Sequence, residues 1–192
     1  RKKVRAIGRE FGDDDGDPAR HWFFDAFVPD RVSVPGRDGG AAQEMAWEDV
    51  PTDDLASEAR YWELSPNAGW HGFGHVAPGY AITDPNKLIL LTPGFDRSGA
   101  YTEHGIPAPV VAQYLRENQV VPEKNDLNSL LFLLTPGVES SKAGTLLSTL
   151  VAFKKLYDDN ARLDDVIGEF VRRRPARYAG RRLRDLCDEM HA

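Results

Sequence analysis

One stretch of the sequence, residues 120–137, constrains the fold more than any other. It begins with the apolar pair Val120-Val121, passes through Glu123 and ends in an apolar run that starts at Leu130. Residues 125–129 contain Asn, Asp and Ser, whose short side chains bond their own backbone and favour turns. We therefore expect a strand, a turn and a buried strand, with Glu123 at the rim of a core.

The Glu123 carboxylate has two interpretations at this place. It is either a solvated turn residue or a side chain placed to recognise a ligand. Because acidic residues are mostly exposed in proteins, the pattern by itself favours the solvated turn residue, and the residues alone leave both interpretations open.

The composition is that of a globular protein with one substantial core. The chain has 192 residues, of which 41% are hydrophobic and 28% charged, enough for one domain or two small ones. Its formal net charge of -6 argues against a nucleic-acid groove, because neutralising phosphates needs a basic face. The same charge argues against binding to an anionic membrane surface.

The chain contains a single cysteine, Cys187. No disulfide can therefore form within it, and a reducing, cytoplasmic location is the default expectation. The longest apolar run is much shorter than the roughly 20 residues that span a bilayer. The sequence opens with Arg1 rather than Met and stops at Ala192 within a helical pattern, so we expect a piece of a longer polypeptide.

Hydrophobic periodicity predicts a mixture of helices and short strands. Helices are expected over residues 2–11, 108–117, 140–157, 164–172 and 183–190. Strands are expected over residues 61–64 and, buried on both faces, over residues 87–92. In the helix over residues 140–157, Lys142, Lys154 and Lys155 are expected to face water. This order of elements predicts an α/β sandwich.

Three biased segments have simpler structural interpretations than chemical ones. The aromatic cluster at residues 22–27 favours core or a subunit contact over substrate stacking. The acidic run at residues 13–17 lacks the ligand spacing of a calcium loop. Residues 34–46 are rich in Gly and Pro and are expected to form a flexible surface loop.

Two histidines four residues apart have the spacing of a possible metal site. His71 and His75 could share a metal ion if they lay on one helix, but the glycines between them disfavour a helix. We expect instead a loop that packs Trp70 and Phe73 against the core, and no metal site.

Several short motifs resemble the C-terminal part of bacterial ornithine decarboxylases, which belong with the lysine and arginine decarboxylases to one large group of fold-type-I pyridoxal-phosphate enzymes. The matches follow one another in order over nearly the whole chain. They are Trp22-Phe23-Phe24-Asp25, Phe27-Val28-Pro29-Asp30, Trp70-His71-Gly72-Phe73, Asp84-Pro85, Lys87-Leu88, Leu91-Thr92-Pro93-Gly94, Tyr114-Leu115-Arg116-Glu117-Asn118, Val121-Pro122-Glu123-Lys124-Asn125-Asp126-Leu127-Asn128-Ser129, Leu131-Phe132-Leu133-Leu134-Thr135-Pro136, Leu186-Cys187 and Glu189-Met190-His191.

The resemblance implies the small C-terminal domain of such an enzyme, an α/β (α+β) sandwich with a short, mostly antiparallel sheet covered by helices. Residues 1–30 would end the large domain or bridging segment, and residues 31–60 would form a loop-rich connection. Residues 61–160 would form the small α/β domain, and residues 161–192 would start a terminal helical region.

The resemblance also implies a reaction, the decarboxylation of L-ornithine to putrescine and carbon dioxide. Residues 122–129 are similar to the ornithine type, whereas lysine and arginine enzymes typically read Val-Glu-Lys-Thr-Gly there. Lysine or arginine decarboxylation remains the alternative within the family. An alternative of another class is a non-catalytic interaction or regulatory domain of polyamine metabolism.

In such enzymes pyridoxal 5'-phosphate is held as a Schiff base by a lysine that follows Ser-x-His. No lysine here has that context, so we expect the cofactor-binding domain upstream of Arg1, no catalytic residue in this chain and no activity of the chain alone. The lysines of the sequence are Lys2, Lys3, Lys87, Lys124, Lys142, Lys154 and Lys155.

What the resemblance assigns to this chain is substrate recognition. The glutamate that matches Glu123 lies near the distal amine of the substrate, so Glu123 is the candidate for binding the ornithine δ-ammonium. Trp70 and His71 are further candidates for lining the pocket entrance. The expected partners are the rest of the polypeptide and a second copy of it, because family members form at least dimers.

Overall fold

The computed structural model describes residues 1–12, 22–36, 40–95 and 99–192. The acidic run at residues 13–17 and the centre of the glycine-rich loop at residues 37–39 lie outside the described residues, so the expectations for them stay predictions. Within the described ranges, every helix is too short or too polar to span a bilayer.

A small antiparallel sheet of four strands forms the centre of the fold. The described residues form six strands in all: β1 (Asp25–Ala26), β2 (Arg31–Val34), β3 (Gln43–Ala46), β4 (Lys87–Leu91), β5 (Lys124–Asn125) and β6 (Ser129–Leu133). Four of them lie in the order β1-β4-β6-β5, with every neighbouring pair antiparallel, while β2 and β3 form a separate hairpin. The mixed class with a small antiparallel sheet is thereby confirmed.

Helices pack around this sheet. They are α1 (Lys2–Gly12), α2 (Thr52–Ser57), α3 (Ala108–Glu117), α4 (Ser140–Asp158), α5 (Leu163–Val166), α6 (Gly168–Arg173), α7 (Pro175–Tyr178) and α8 (Leu183–His191). The long helices expected from periodicity, α1, α3, α4 and α8, are confirmed. The helix expected over residues 164–172 is broken at Ile167, where φ -133 and ψ 52 leave the helical region and separate α5 from α6.

The central strand β4 is buried on one face only, so the prediction of burial on both faces is wrong. Leu88 and Leu90 are buried, whereas Ile89 and Leu91 between them are half-buried. Successive side chains of a strand point to opposite faces, and β6 repeats the alternation around the fully buried Leu130. The sheet therefore has one deep face and one shallow face.

The aromatic cluster at residues 22–27 belongs to the core, as expected. Phe23 and Phe24 are buried. The Phe24 ring lies 6.1 Å from Phe153 of α4, and the Trp22 ring meets Tyr157 edge to face at 5.1 Å. These contacts join the start of the sheet to α4.

Two segments differ from their predicted local structure. Residues 43–46, expected in a flexible loop, pair with β2 as strand β3. The predicted strand over residues 61–64 begins instead in a 3-10 helix, Ala59–Trp62. There the indole N–H of the buried Trp62 donates to Leu55 O at 2.8 Å, which ties this turn to α2.

Lys154 is also placed differently from its expectation. The helical pattern predicts that it faces water with Lys142 and Lys155, but only 2% of its surface is exposed. Its ammonium donates to both carboxylate oxygens of Asp158, at 2.6 and 2.7 Å, and lies 4.7 Å from the centre of the Trp22 ring. A buried charge is tolerated because it is paired in this way.

Candidate functional site

A cleft of about 870 Å³ opens where β1, β4 and β6 meet their loops. Its walls come from four separate segments, residues 22–30, 69–72, 91–95 with 99–104, and Asn128, joined by Arg5 of α1. The cleft exists because β4 pairs with β1 on one side and with β6 on the other, which brings the ends of these strands to one place.

Trp70 and His71 both lie in the wall of this cleft. The Trp70 ring packs 4.9 Å from Phe27. His71 Nε2 lies 2.8 Å from the carbonyl oxygen of Ser65, to which it must donate, and His71 Nδ1 accepts the backbone N–H of Phe73 at 2.9 Å. Both ring nitrogens thus hold the loop in shape, with the proton on Nε2.

The prediction that Phe73 packs against the core is wrong. Its side chain is 53% exposed and stacks on the His71 ring at 5.4 Å. Among the described residues, no group of three His, Cys, Asp or Glu side chains could hold a metal ion.

Arg5 fixes the wall of the cleft that β1 contributes. Its guanidinium donates to the carbonyl oxygens of Val28 at 2.9 Å and Pro29 at 2.7 Å, and to Asp25 Oδ1 at 3.0 Å. A further ion pair joins it to Glu48 at 3.4 Å. The side chain is only 9% exposed, and these contacts join α1 to the segment around β1.

The floor of the cleft carries two polar atoms without a partner. Thr92 and Asn128 both line it, and the backbone N–H of Thr92 donates to Asn128 O at 2.9 Å. Neither Thr92 Oγ1 nor Asn128 Oδ1 has a hydrogen-bond partner among the described residues. Such groups are rare in folded proteins and cost free energy.

Glu123 lies away from the cleft. It is not among the residues that line the cleft, and it precedes β5, the edge strand that neighbours β6 and is opposite to β1 in the sheet. Its backbone N–H donates to Leu131 O at 2.8 Å, although Lys124 is the residue that pairs with Leu131. Two residues then oppose one, as in a β-bulge, a device that re-aims side chains at sheet edges.

The Glu123 side chain is exposed, and its carboxylate makes no hydrogen bond or ion pair with any residue that the structure describes. The expected strand and turn around it are confirmed, but the first strand begins at Lys124 rather than at Val120. The structure does not bring Glu123 together with Trp70 and His71 in one chain.

The described lysines do not fit a Schiff-base site. Lys154 is bound to Asp158, and Lys2 donates to Val50 O. No lysine lines the cleft within the described ranges. The cleft wall, as far as the structure describes it, therefore contains no amine that could carry a Schiff base.

Three residues that shape the cleft, Thr92, Asn128 and Arg5, have no role predicted from the sequence. Thr92 and Asn128 lie within motifs that carried the resemblance, so the motifs were the available signal. Arg5 had no such signal, because its partners lie at least 20 residues away along the chain.

The chain is similar to one family of known proteins. The family model for the major domain of Orn/Lys/Arg decarboxylases matches residues 8–142, well over half of the chain. The constitutive ornithine decarboxylase of Escherichia coli (strain K12) is 42% identical over 174 residues, which are 90% of this chain and 23% of that protein. A lysine decarboxylase of Pseudomonas aeruginosa is 39% identical over 171 residues, 89% of this chain and 20% of that protein.

Solved structures agree with the sequence relatives. Lysine decarboxylase A from Pseudomonas aeruginosa matches with a TM-score of 0.74 and 34% identity, over 100% of this chain and 22% of that one. The constitutive lysine decarboxylase of E. coli matches with a TM-score of 0.71 and 31% identity, over 99% and 23%. The chain spans less than a quarter of the length of these relatives. It belongs to the Orn/Lys/Arg decarboxylase family.

Proposed function

We propose that this chain is part of a pyridoxal-phosphate-dependent decarboxylase that converts L-ornithine to putrescine and carbon dioxide. Family membership supports the reaction class. Relatives that act on ornithine, lysine and arginine have similar identities, 42%, 39% and 34%, so the choice of ornithine rests on the motif at residues 122–129.

The chain's own contribution is substrate recognition. Pyridoxal phosphate, when bound, supplies an electron sink for the decarboxylation, and it is held outside this chain. The observation that carries the assignment is the Glu123 carboxylate, which is exposed and without a partner among the described residues. Such a group is available to bind a cation from another part of the protein or from a second copy of it.

A carboxylate at this place would bind the δ-ammonium of ornithine through charge-assisted hydrogen bonds. These contribute about 1.5–3 kcal/mol, or about 10- to 150-fold in affinity. Because the bulge at Glu123 and Lys124 fixes the backbone at one position on the sheet edge, the carboxylate would also discriminate chain length.

The test is Glu123→Gln in the full-length protein. We expect kcat/KM for ornithine to fall at least about tenfold, because an amide oxygen carries no charge to pair with the ammonium. Glu10→Gln is the matched control, since Glu10 is also exposed and lies on α1. Unchanged kinetics in Glu123→Gln would contradict the role of Glu123 in binding the substrate. If the wild type turned over lysine or arginine faster than ornithine, that amino acid would be assigned as the substrate instead.

Trp70 and His71 are proposed as lining of the pocket entrance. Their place in the cleft wall supports this. Since Glu123 lies near the opposite edge of the sheet, the proposed pocket would combine the cleft of one copy with Glu123 of another. A homodimer or higher homo-oligomer is the partner that this proposal requires.

A further inference from the structure

Three of the motifs that carried the resemblance meet at one buried point, although they are far apart in the sequence. Gly94 follows β4, Asn128 precedes β6, and His191 ends α8. His191 is only 9% exposed. Its ring lies against the segment that forms one wall of the cleft, which we call the lip (residues 93–95 and 99–105).

The lip is shaped to accept the His191 ring. A Cβ on Gly94 would lie 2.6 Å from Asn128 Nδ2 and 2.9 Å from His191 Cε1, and a Cβ on Gly105 would collide with the same ring. Gly94 also has φ +145, a conformation that residues with a side chain rarely adopt. The two glycines therefore allow the imidazole to sit between the two ends of the lip.

Two polar contacts tie α8 to the lip. His191 Nε2 lies 2.8 Å from Thr102 O, and because a carbonyl oxygen only accepts, Nε2 carries the proton and donates. One turn earlier, Asp188 Oδ1 lies 3.3 Å from His104 Nδ1. The lip itself belongs to no strand or helix, and its ends are joined by the bonds Thr102 N–H to Gly94 O and Ile106 N–H to Pro93 O.

We infer that His191 is a positioning residue: it holds the lip of the cleft, so that helix α8 sets the shape of the cleft wall. Pro93, Gly94, Thr102 and His104 all line the cleft. Movement of the lip would therefore change the space next to the floor formed by Thr92 and Asn128. One step rests on the proposed function, namely that the cleft belongs to the path of the amino-acid substrate.

The experiment compares four variants of the full-length protein, His191→Ala, His191→Gln, His191→Asn and the control His75→Ala. The Gln amide N–H can reach Thr102 O in place of Nε2, and His75 is exposed and does not line the cleft. Amide hydrogen exchange is measured over residues 93–106 and, as an internal reference, over residues 146–157 of α4. KM and kcat are measured with ornithine, lysine and arginine.

In His191→Ala we expect exchange in the lip to rise by at least about tenfold while exchange in α4 is unchanged. KM should rise about threefold or more, whereas kcat should stay within about twofold of the wild-type value. The reason is that the cleft wall has moved but the reacting atoms have not. His191→Gln and His75→Ala should both behave like the wild type. The shorter amide of His191→Asn does not reach Thr102 O. This variant should therefore behave like His191→Ala, although it leaves a smaller cavity than alanine does.

Lip exchange equal to the wild type in His191→Ala, or an equal rise in the lip and in α4, would overturn the positioning role. A selective rise in the lip with unchanged KM would overturn the link to the substrate path. If the wild type decarboxylated none of the three amino acids, the proposed function would fail, whereas the exchange comparison would still decide what His191 does.

Discussion

Replacing Arg5 by Met is expected to destabilise the protein strongly. The guanidinium is the donor for two carbonyl oxygens of buried residues, Val28 and Pro29, at 2.9 and 2.7 Å. It also pairs with Asp25 at 3.0 Å and with Glu48, whose side chain is 10% exposed, at 3.4 Å. Met preserves much of the apolar stem but removes every one of these donors.

The expected loss follows from the groups left behind. Each carbonyl that loses its donor without access to water costs about 1–3 kcal/mol, and removing one partner of a buried ion pair costs about 3–5 kcal/mol. Because these contributions overlap in one network and do not add fully, we expect Arg5→Met to lower the free energy of unfolding by about 3–5 kcal/mol. Arg5→Lys should fall in between, since one ammonium cannot reach all the acceptors.

Equilibrium urea unfolding of the 192-residue chain measures this loss. Arg9→Ala is the matched control, because Arg9 lies one turn later on α1, is 54% exposed, and pairs at 3.2 Å with the half-exposed Asp49 and at 3.6 Å with Glu48. We expect its unfolding midpoint to stay close to that of the wild type. A loss below about 1 kcal/mol in Arg5→Met would refute the claim that Arg5 satisfies otherwise unpaired buried groups.

Two further predictions concern α6 and α8. Glu117, on α3, caps α6 by accepting the backbone N–H groups of Glu169 at 3.0 Å and Phe170 at 2.9 Å. In urea unfolding, Glu117→Ala should lower the free energy of unfolding by about 1–2 kcal/mol, and Glu117→Gln should lower it by less. Equal losses in the two variants would contradict the capping role of the charge. Burial, reinforced by Asp188, raises the pKa of the Cys187 thiol, so a thiol reagent at pH 8 should modify Cys187 only when urea unfolds the chain, and rapid labelling of the folded protein would contradict this. Because the unfolded thiol ionises first, stability should also fall as pH rises above the ordinary thiol pKa of about 9.

Local sequence patterns were sufficient for much of the fold. Helical spacing of apolar residues predicted α1, α3, α4 and α8, and the Asn, Asp and Ser residues before β6 predicted the turn after β5. These features are local because a helix face or a turn is decided by residues a few positions apart. The motifs likewise indicated the family, because each is a contiguous string of residues that can be identified without knowing what its side chains contact.

Predictions failed where a residue's environment comes from elsewhere in the chain. The sequence pattern predicts that Lys154 faces solvent, but contacts with Asp158 and the Trp22 ring make its burial possible. The composition predicts a loop at residues 43–46, but these residues form a strand because they pair with β2. A partner supplied by tertiary packing outweighs local preference, which is small for any single residue.

By itself, the sequence determined the mixed α/β class, the principal helices and the family, and its resemblance to that family made Glu123 a candidate for substrate recognition. Only the tertiary structure decided that Trp70 and His71 share a cleft with Asn128, and that Glu123 lies near the other edge of the sheet. It also decided that His191 sits between Gly94 and Gly105. The physical reason is that strand order and helix docking set these distances, and both depend on contacts between residues far apart in the chain.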